Sequence, residues 1–380
     1  MDFFYQFDGI SQVIIATFLC AGMIQLMYYL VIYSRPICRK ESRIPYPTVL
    51  PPVSVIVCAR NEQDQLEQNL PLLLAQDYPQ YEVIVVNDCS EDDTEELLNR
   101  LKAQYPHLRS TIIRKNASFR NSKKFASIIG IKAAQYEWML FTDANCKLAG
   151  KQWIRSMSRF FTDNKSIVLG YSGYIPQKGF INKWIQYATC CESIHYLGFA
   201  MCRMPYTGIG RNLAYRRSLF YEHNGFAEHA HIFSDDYDLF ISQASTNRNV
   251  AVNFADKAHT YTVPKTTSFD WIRQKCGYFS IYQYFKSYQH LLLLLEPLSL
   301  LIFFGTFISL CVLHPEYWMY LLGIFLLRNI IFLTTFGLSM KRLKITGILP
   351  YAIFFDLAMP VVNVYVYFLN KTLSKHNRWN

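Results

Sequence analysis

The sequence predicts an α/β domain on a mostly parallel sheet, with helices on both faces, carried between membrane-spanning helices at the two ends of the chain. Three observations predict it. Apolar residues make up 51% of the 380-residue chain, and the long uncharged runs lie near its two ends. Strand and helix patterns alternate through the middle, as in βαβ units. Acidic residues stand at the C-terminal ends of successive apolar strands, the edge where open α/β sheets bind ligands.

Ile10 to Tyr33 is apolar apart from Ser11, Gln12, Thr17 and Gln25, and no charge interrupts it. At about 1.5 Å per helical residue it is long enough to cross a bilayer. Asp2 and Asp8 precede it where a signal peptide would carry basic residues, and no small-residue cleavage site stands out, so residues 1–34 are expected to be a retained anchor. Arg35, Arg39, Lys40 and Arg43 follow, and the positive-inside rule places the next domain in the cytoplasm. The net charge of +10 needs no nucleic acid: basic residues facing an anionic leaflet or diphosphates account for it. The ten cysteines show no CxxC pair and no zinc spacing, and are expected to be free thiols.

Residues 35–51 form a linker, extended where Pro45, Pro47, Pro51 and Pro52 crowd together. A domain over residues 52–288 opens with the strand Val53–Cys58, which exits at Arg60-Asn61-Glu62. Leu66, Leu70, Leu73 and Leu74 recur at helical spacing. Glu82–Val86 is a second strand ending in Asn87-Asp88, and Asp92, Asp93 and Thr94 open a helix through Leu101. Thr111–Ile113 gives a third strand, Phe125–Gln135 a helix, and Trp138–Phe141 a fourth strand running into Thr142, Asp143 and Asn145. Oxygen ligands two residues apart at such an edge suit a hard divalent cation holding a diphosphate; they equally suit an Asx-type turn.

VSVIVCARNE, AQDYP, EVIVVNDCSEDDT, KKFASIIGIKAA and FTDANC, in this order and spacing, resemble glycosyltransferase family 2 in its membrane-anchored bacterial form. These are inverting nucleotide-sugar transferases of GT-A fold, and the resemblance covers roughly Pro52 to Tyr278. It implies that Arg60 and Glu62 line a nucleoside pocket, with Lys123 or Lys124 near it, and that Asp88 hydrogen-bonds the base. It implies that Asp143 and position 145 form the D-x-D that holds diphosphate and a divalent cation, Mg²⁺ or Mn²⁺. Asn145 keeps an oxygen ligand there but drops a charge, which puts metal dependence in question.

In YTGIGRNLAY (Tyr206–Tyr215), Gly208 and Gly210 let backbone approach a ligand before Asn212, as in the family's glycine-rich segment beside donor and acceptor. FSDDYDLF (Phe233–Phe240) matches the acidic motif, with Ser234, Asp235 and Asp236 in its three places. By resemblance Asp236 is the catalytic base and Asp235 its neighbour; inversion needs a carboxylate to take the acceptor hydroxyl's proton. The same acids also suit a helix N-terminus. WIRQKCGY (Trp271–Tyr278) resembles the Q-x-x-R-W segment that helps hold diphosphate and acceptor. Gln274 and Lys275 fit, while Gly277 and Tyr278 replace Arg and Trp, which favours single transfer over processive synthesis. Ile181–Cys202 suits either an amphipathic helix on the membrane surface or a core helix, and His195 on it reads as packed rather than ligating.

Residues 289–370 return to the membrane in two or three helices, with His290–Leu313 and Trp318–Phe336 as spans and residues 371–380 as a basic tail. Ile348–Leu369 is left open between a crossing and a re-entrant segment. It contains Asp356, Pro350, Pro360 and Asn363, and a crossing strands Lys371, Lys375 and Arg378 outside. The expectation is an integral protein of the bacterial inner membrane with a cytoplasmic catalytic domain. It moves a sugar from a nucleotide diphosphate sugar, a UDP-hexose, to a lipid or lipid-linked glycan acceptor. The alternatives are a processive polysaccharide synthase and an inactive nucleotide-sugar-binding scaffold.

Overall fold

The computed structural model describes residues 8–39, 44–114, 123–229 and 237–376. The chain divides into two compact units: Arg39–Tyr284, and the residues up to Cys38 together with those from Phe285 onward.

Among its described residues, the Arg39–Tyr284 unit contains ten strands. They are β1 (Val53–Ala59), β2 (Tyr81–Asp88), β3 (Leu108–Ile113), β4 (Trp138–Asp143), β5 (Lys147–Leu148), β6 (Ile167–Gly170), β7 (Ser172–Tyr174), β8 (Leu213–Arg216), β9 (Val250–Asn253) and β10 (Thr260–Thr262). Seven form one sheet in the order β3-β2-β1-β4-β8-β6-β9. The first four are parallel to one another, β8 runs antiparallel to both neighbours, and β6 and β9 are parallel. A small second sheet, β5-β10-β7, lies after the site-bearing end of β4.

Alternation along the strands explains the layering. Val53, Val55 and Val57, with Val83 and Val85, bury against Leu66, Leu70, Leu97 and Leu98 of the helices Gln63–Leu74 and Thr94–Gln104. Ile56 and Val86 face the other way, where the helix Lys123–Ala133 crosses them at Gly130. Glu82, an acid inside this apolar sheet, is fully paired: Arg109 Nη1 donates at 2.7 Å, and Ser54 Oγ and the Gln135 amide donate at 2.7 Å each. The segment left open between surface and core is the helix Phe180–Met201, buried along most of its length. His195 is packed there, its Nδ1 2.7 Å from the Tyr206 hydroxyl, and burial drives its pKa down to about 3.

Among the described residues of the other unit, four helical stretches are long and apolar enough to cross a membrane: Gly9–Cys38, Ser287–Leu313, Pro315–Leu343 and Leu349–Thr372. The stretch that the sequence left open is continuous helix, Ala352–His376, with Pro360 inside it. Phe18 stacks on Phe303 at 4.8 Å between ring centroids, joining the first span to the second. Asp356 is paired with Arg328 of the third span at 2.8 Å.

Candidate active site

Parallel register sets the site. Cys58 of β1 pairs with Asp143 of β4, and Ala59 with Asn87 of β2, so Glu62, Asp88 and Asp143 emerge at one edge. Asp88 and Asp143 stand two strands apart, about 10 Å at the usual interstrand spacing. Asn61 and Cys89 take left-handed backbone (φ 52° and 55°), which turns the chain sharply out of β1 and β2. The two exit loops are tied together. The Asn61 amide donates to Ser90 Oγ at 2.9 Å, Glu91 N donates to Asn61 Oδ1 at 2.8 Å, and Gln63 N donates to Asp92 Oδ2 at 3.1 Å.

Asp88 is 5% exposed, and its enclosed Oδ1 has no hydrogen-bond partner among the described residues. A buried acceptor left without a donor is costly, so this oxygen is placed to receive one from a ligand. Burial, followed by the charge of Asp143, pushes the Glu62 carboxyl up to about 7.

Beside Asp143 opens a cleft of about 170 Å³. The expected residues Lys123, Asp143, Asn145, Gly210 and Gln274 line it. So do Tyr174, Arg211, Thr262 and Lys265, which the sequence reading did not single out. The signal for Arg211 was present, since it lies between two residues that were singled out. The short 3₁₀ turn Gly210–Asn212 turns Arg211 toward the cleft, its guanidinium 5.0 Å from the centre of the Tyr174 ring.

Asn212 is not brought into the cleft. It is fully buried, its amide donating to the Tyr171 and Ala258 carbonyls at 2.6 and 2.7 Å, while Trp153 Nε1 donates to its Oδ1 at 3.2 Å. Gly208 packs under the cleft instead of lining it, because a Cβ there would stand 2.8 Å from Leu169 Cδ2. Lys275 is buried beside Glu192 and over the Trp271 and Tyr278 rings, and burial brings it down to about 7. Arg60 is exposed at the β1 exit, and Lys124 follows Lys123 on its helix without lining the cleft. Asp235 and Asp236 lie outside the described residues.

The D-x-D comparison implies a divalent cation, and the described residues do not fit one. Lys123 Nζ already spans the Asp143 carboxylate, 2.8 Å from Oδ1 and 3.0 Å from Oδ2. The Asn145 carbonyl accepts from Thr262 Oγ1 at 3.1 Å. Among the described residues no three His, Cys, Asp or Glu side chains come together as a metal group.

Residues 54–236 match the model of the family described as Glycosyl transferase family 2. Over 214 residues the chain is 24% identical to the poly(ribitol-phosphate) beta-N-acetylglucosaminyltransferase TarS of Staphylococcus aureus, covering 56% of this chain and 35% of that protein. Over 132 residues it is 26% identical to the Escherichia coli UDP-Glc:alpha-D-GlcNAc-diphosphoundecaprenol beta-1,3-glucosyltransferase WfaP, covering 34% of this chain and 48% of that one. The chain thus spans between a third and a half of these relatives' lengths. The mannosyltransferase PcManGT of Pyrobaculum calidifontis, solved with GDP-Man and Mn²⁺, superposes with a TM-score of 0.58 at 18% identity, covering 88% of this chain and 98% of that one. Residues 54–236 are thereby a glycosyltransferase family 2 domain, and the mostly parallel sheet has the GT-A fold.

Proposed function

We propose that the protein transfers one sugar from a nucleotide diphosphate sugar, a UDP-hexose, to a lipid or lipid-linked glycan held at the membrane, with inversion at the sugar carbon. The observation that carries it is the buried, unpartnered Asp88 oxygen at the same sheet edge as a cation-lined cleft. The base sits against Asp88 and the diphosphate in the cleft, with the nucleoside bridging the strands between them. WfaP, by its name, uses a UDP-sugar and a lipid diphosphate acceptor, and four apolar helices would hold this chain where such an acceptor lies. The basic residues after the first span favour the cytoplasmic face of a bacterial inner membrane.

In this reading the Asp236 carboxylate takes the proton of the acceptor hydroxyl as its oxygen bonds to the anomeric carbon. The bond to the diphosphate breaks on the opposite side, and negative charge gathers on the leaving group, where cationic groups in the cleft offset it. The test is calorimetric titration with UDP together with a transfer assay. Asp88→Ala is expected to weaken UDP by about 1.5–3 kcal/mol, the scale of a hydrogen bond to a charged group. Asp236→Asn is expected to bind UDP as wild type does and to lose transfer. Unchanged UDP affinity in Asp88→Ala removes Asp88 from the pocket, and turnover in folded Asp236→Asn removes the base.

A further inference from the structure

The described lining of the cleft carries the wrong charge for a site that recruits a divalent cation and the right charge for one that meets a diphosphate directly. Among the described residues its lining holds three cationic side chains, Lys123, Arg211 and Lys265, against one carboxylate, Asp143. Within that described lining, positive side chains exceed negative ones by two, opposite in sign to a nucleotide sugar's diphosphate; Asp235 and Asp236 lie outside the described residues and are not in the count. A cation-recruiting site needs the reverse balance, because Mg²⁺ and Mn²⁺ are held by anionic oxygens.

Geometry points the same way. For a small hard cation to reach the Asp143 oxygens at about 2.1 Å, the Lys123 ammonium that spans both would have to leave. Asn145 supplies no charge, and its carbonyl is engaged by the Thr262 hydroxyl. Arg211 is held in place rather than swinging in solvent. It lies over the Tyr174 ring, and the Tyr174 hydroxyl in turn accepts from Gln274 Nε2 at 3.2 Å. A planar guanidinium fixed on one face offers two parallel N–H groups to a phosphate, the geometry that favours Arg over Lys at such sites.

We propose that Lys123 and Arg211, with Lys265 at the exposed rim, take the place of a divalent cation on the donor's diphosphate, so that this protein binds its nucleotide sugar without metal. Lys123 stays close to Asp143, which orients its ammonium, and Arg211 takes the phosphate oxygens in its fork. This rests on the nucleotide-sugar reading above, and the experiment separates the two.

The full-length protein in detergent, stripped of metal, is titrated calorimetrically with UDP in excess EDTA and again in millimolar MnCl₂, with GDP, CDP and dTDP in parallel. The expected result is UDP binding in EDTA with an affinity within about twofold of that in Mn²⁺. Arg211→Lys is expected to weaken UDP in EDTA about tenfold, as a charge-assisted fork is lost. Lys265 is exposed, so Lys265→Met keeps the fold; it is expected to weaken UDP about threefold and to steepen no metal dependence. Binding that tightens tenfold or more on adding Mn²⁺ overturns the proposal. So does stoichiometric binding of Mn²⁺ alone to the wild type by electron paramagnetic resonance, or wild-type UDP affinity in both variants. Failure of every nucleoside diphosphate to bind in either buffer discards the nucleotide-sugar reading itself.

Discussion

Glu62 is where pH enters the site. Its carboxyl, pushed up to about 7 by burial and then by the charge of Asp143, is neutral below that pH and charged above it, whereas an ordinary glutamate is charged from about 4.5. Two consequences follow in sign. Because the folded pKa is raised, the folded state binds this proton more tightly than the unfolded chain, and stability falls as pH rises between about 4.5 and 7. A diphosphate in the cleft next to Asp143 adds negative charge in the same direction and also favours the neutral form, so UDP affinity is expected to fall as pH rises through about 7 and 8. Lys275 titrates near 7 as well, so Glu62→Gln is the comparison that isolates the carboxylate. Calorimetry across this range should show a flattened pH profile in Glu62→Gln; an unaltered slope removes Glu62 from the pocket. At this scale the positions of Asp88 and Asp143 were legible, because a carboxylate ending an apolar strand has one edge to occupy. Which of Arg211 and Asn212 would face the cleft was not. Neighbours on a single turn point in different directions, and only the surrounding carbonyls of Tyr171 and Ala258 decide which one is buried.

The helix Lys123–Ala133 carries Lys123 in its first turn and meets the sheet through Gly130. A Cβ at position 130 would stand 2.5 Å from Ile56 Cγ2 and 3.2 Å from Val86 Cγ2. Gly130→Ala therefore sets two effects against each other. Helix propensity favours alanine by about 1 kcal/mol. Overpacking a well-filled contact costs about 1–3 kcal/mol. The contact should win, since both atoms it strikes belong to β-branched side chains on central strands. The expected outcome is a net loss of about 1 kcal/mol in chemical denaturation, with weaker UDP binding as the helix and Lys123 lift from β1. Stability equal to or above wild type would show that the helix shifts without strain. The four parallel strands were legible as apolar runs alternating with helix patterns, although the third was read as Thr111–Ile113 and begins at Leu108. The sheet β5-β10-β7 was not legible, since strands of two or three residues carry no period. Nor was β8, whose residues read as the tail of a ligand loop before they pair antiparallel to β4.

For the whole molecule, the last apolar stretch decides how many helices cross. Asp356 spoke against a crossing because the sequence shows no partner for it. Its partner is Arg328, on a different helix and itself inside an apolar run, 1% exposed and 2.8 Å away. The same guanidinium donates to Gln25 Oε1 at 2.8 Å and to the Tyr29 hydroxyl, so one charge ties the first, third and fourth apolar helices together. An ion inside an apolar helix bundle is tolerated when it is paired within the bundle, and here both members are. The pair specifies which helices associate and adds little net stability, since desolvation offsets most of the attraction. This gives an asymmetric prediction. Arg328→Leu leaves Asp356 buried without its partner, and Asp356→Leu does the same to Arg328; each is expected to destabilise the detergent-solubilised protein by about 3–5 kcal/mol. The double variant Arg328→Leu/Asp356→Leu removes both members of the pair together and should recover most of that loss. The measurement is unfolding of all three variants and wild type in one detergent, read as a double-mutant cycle. A double variant no more stable than the singles would mean that the two charges do not compensate each other, and that Asp356 is not what anchors the fourth helix.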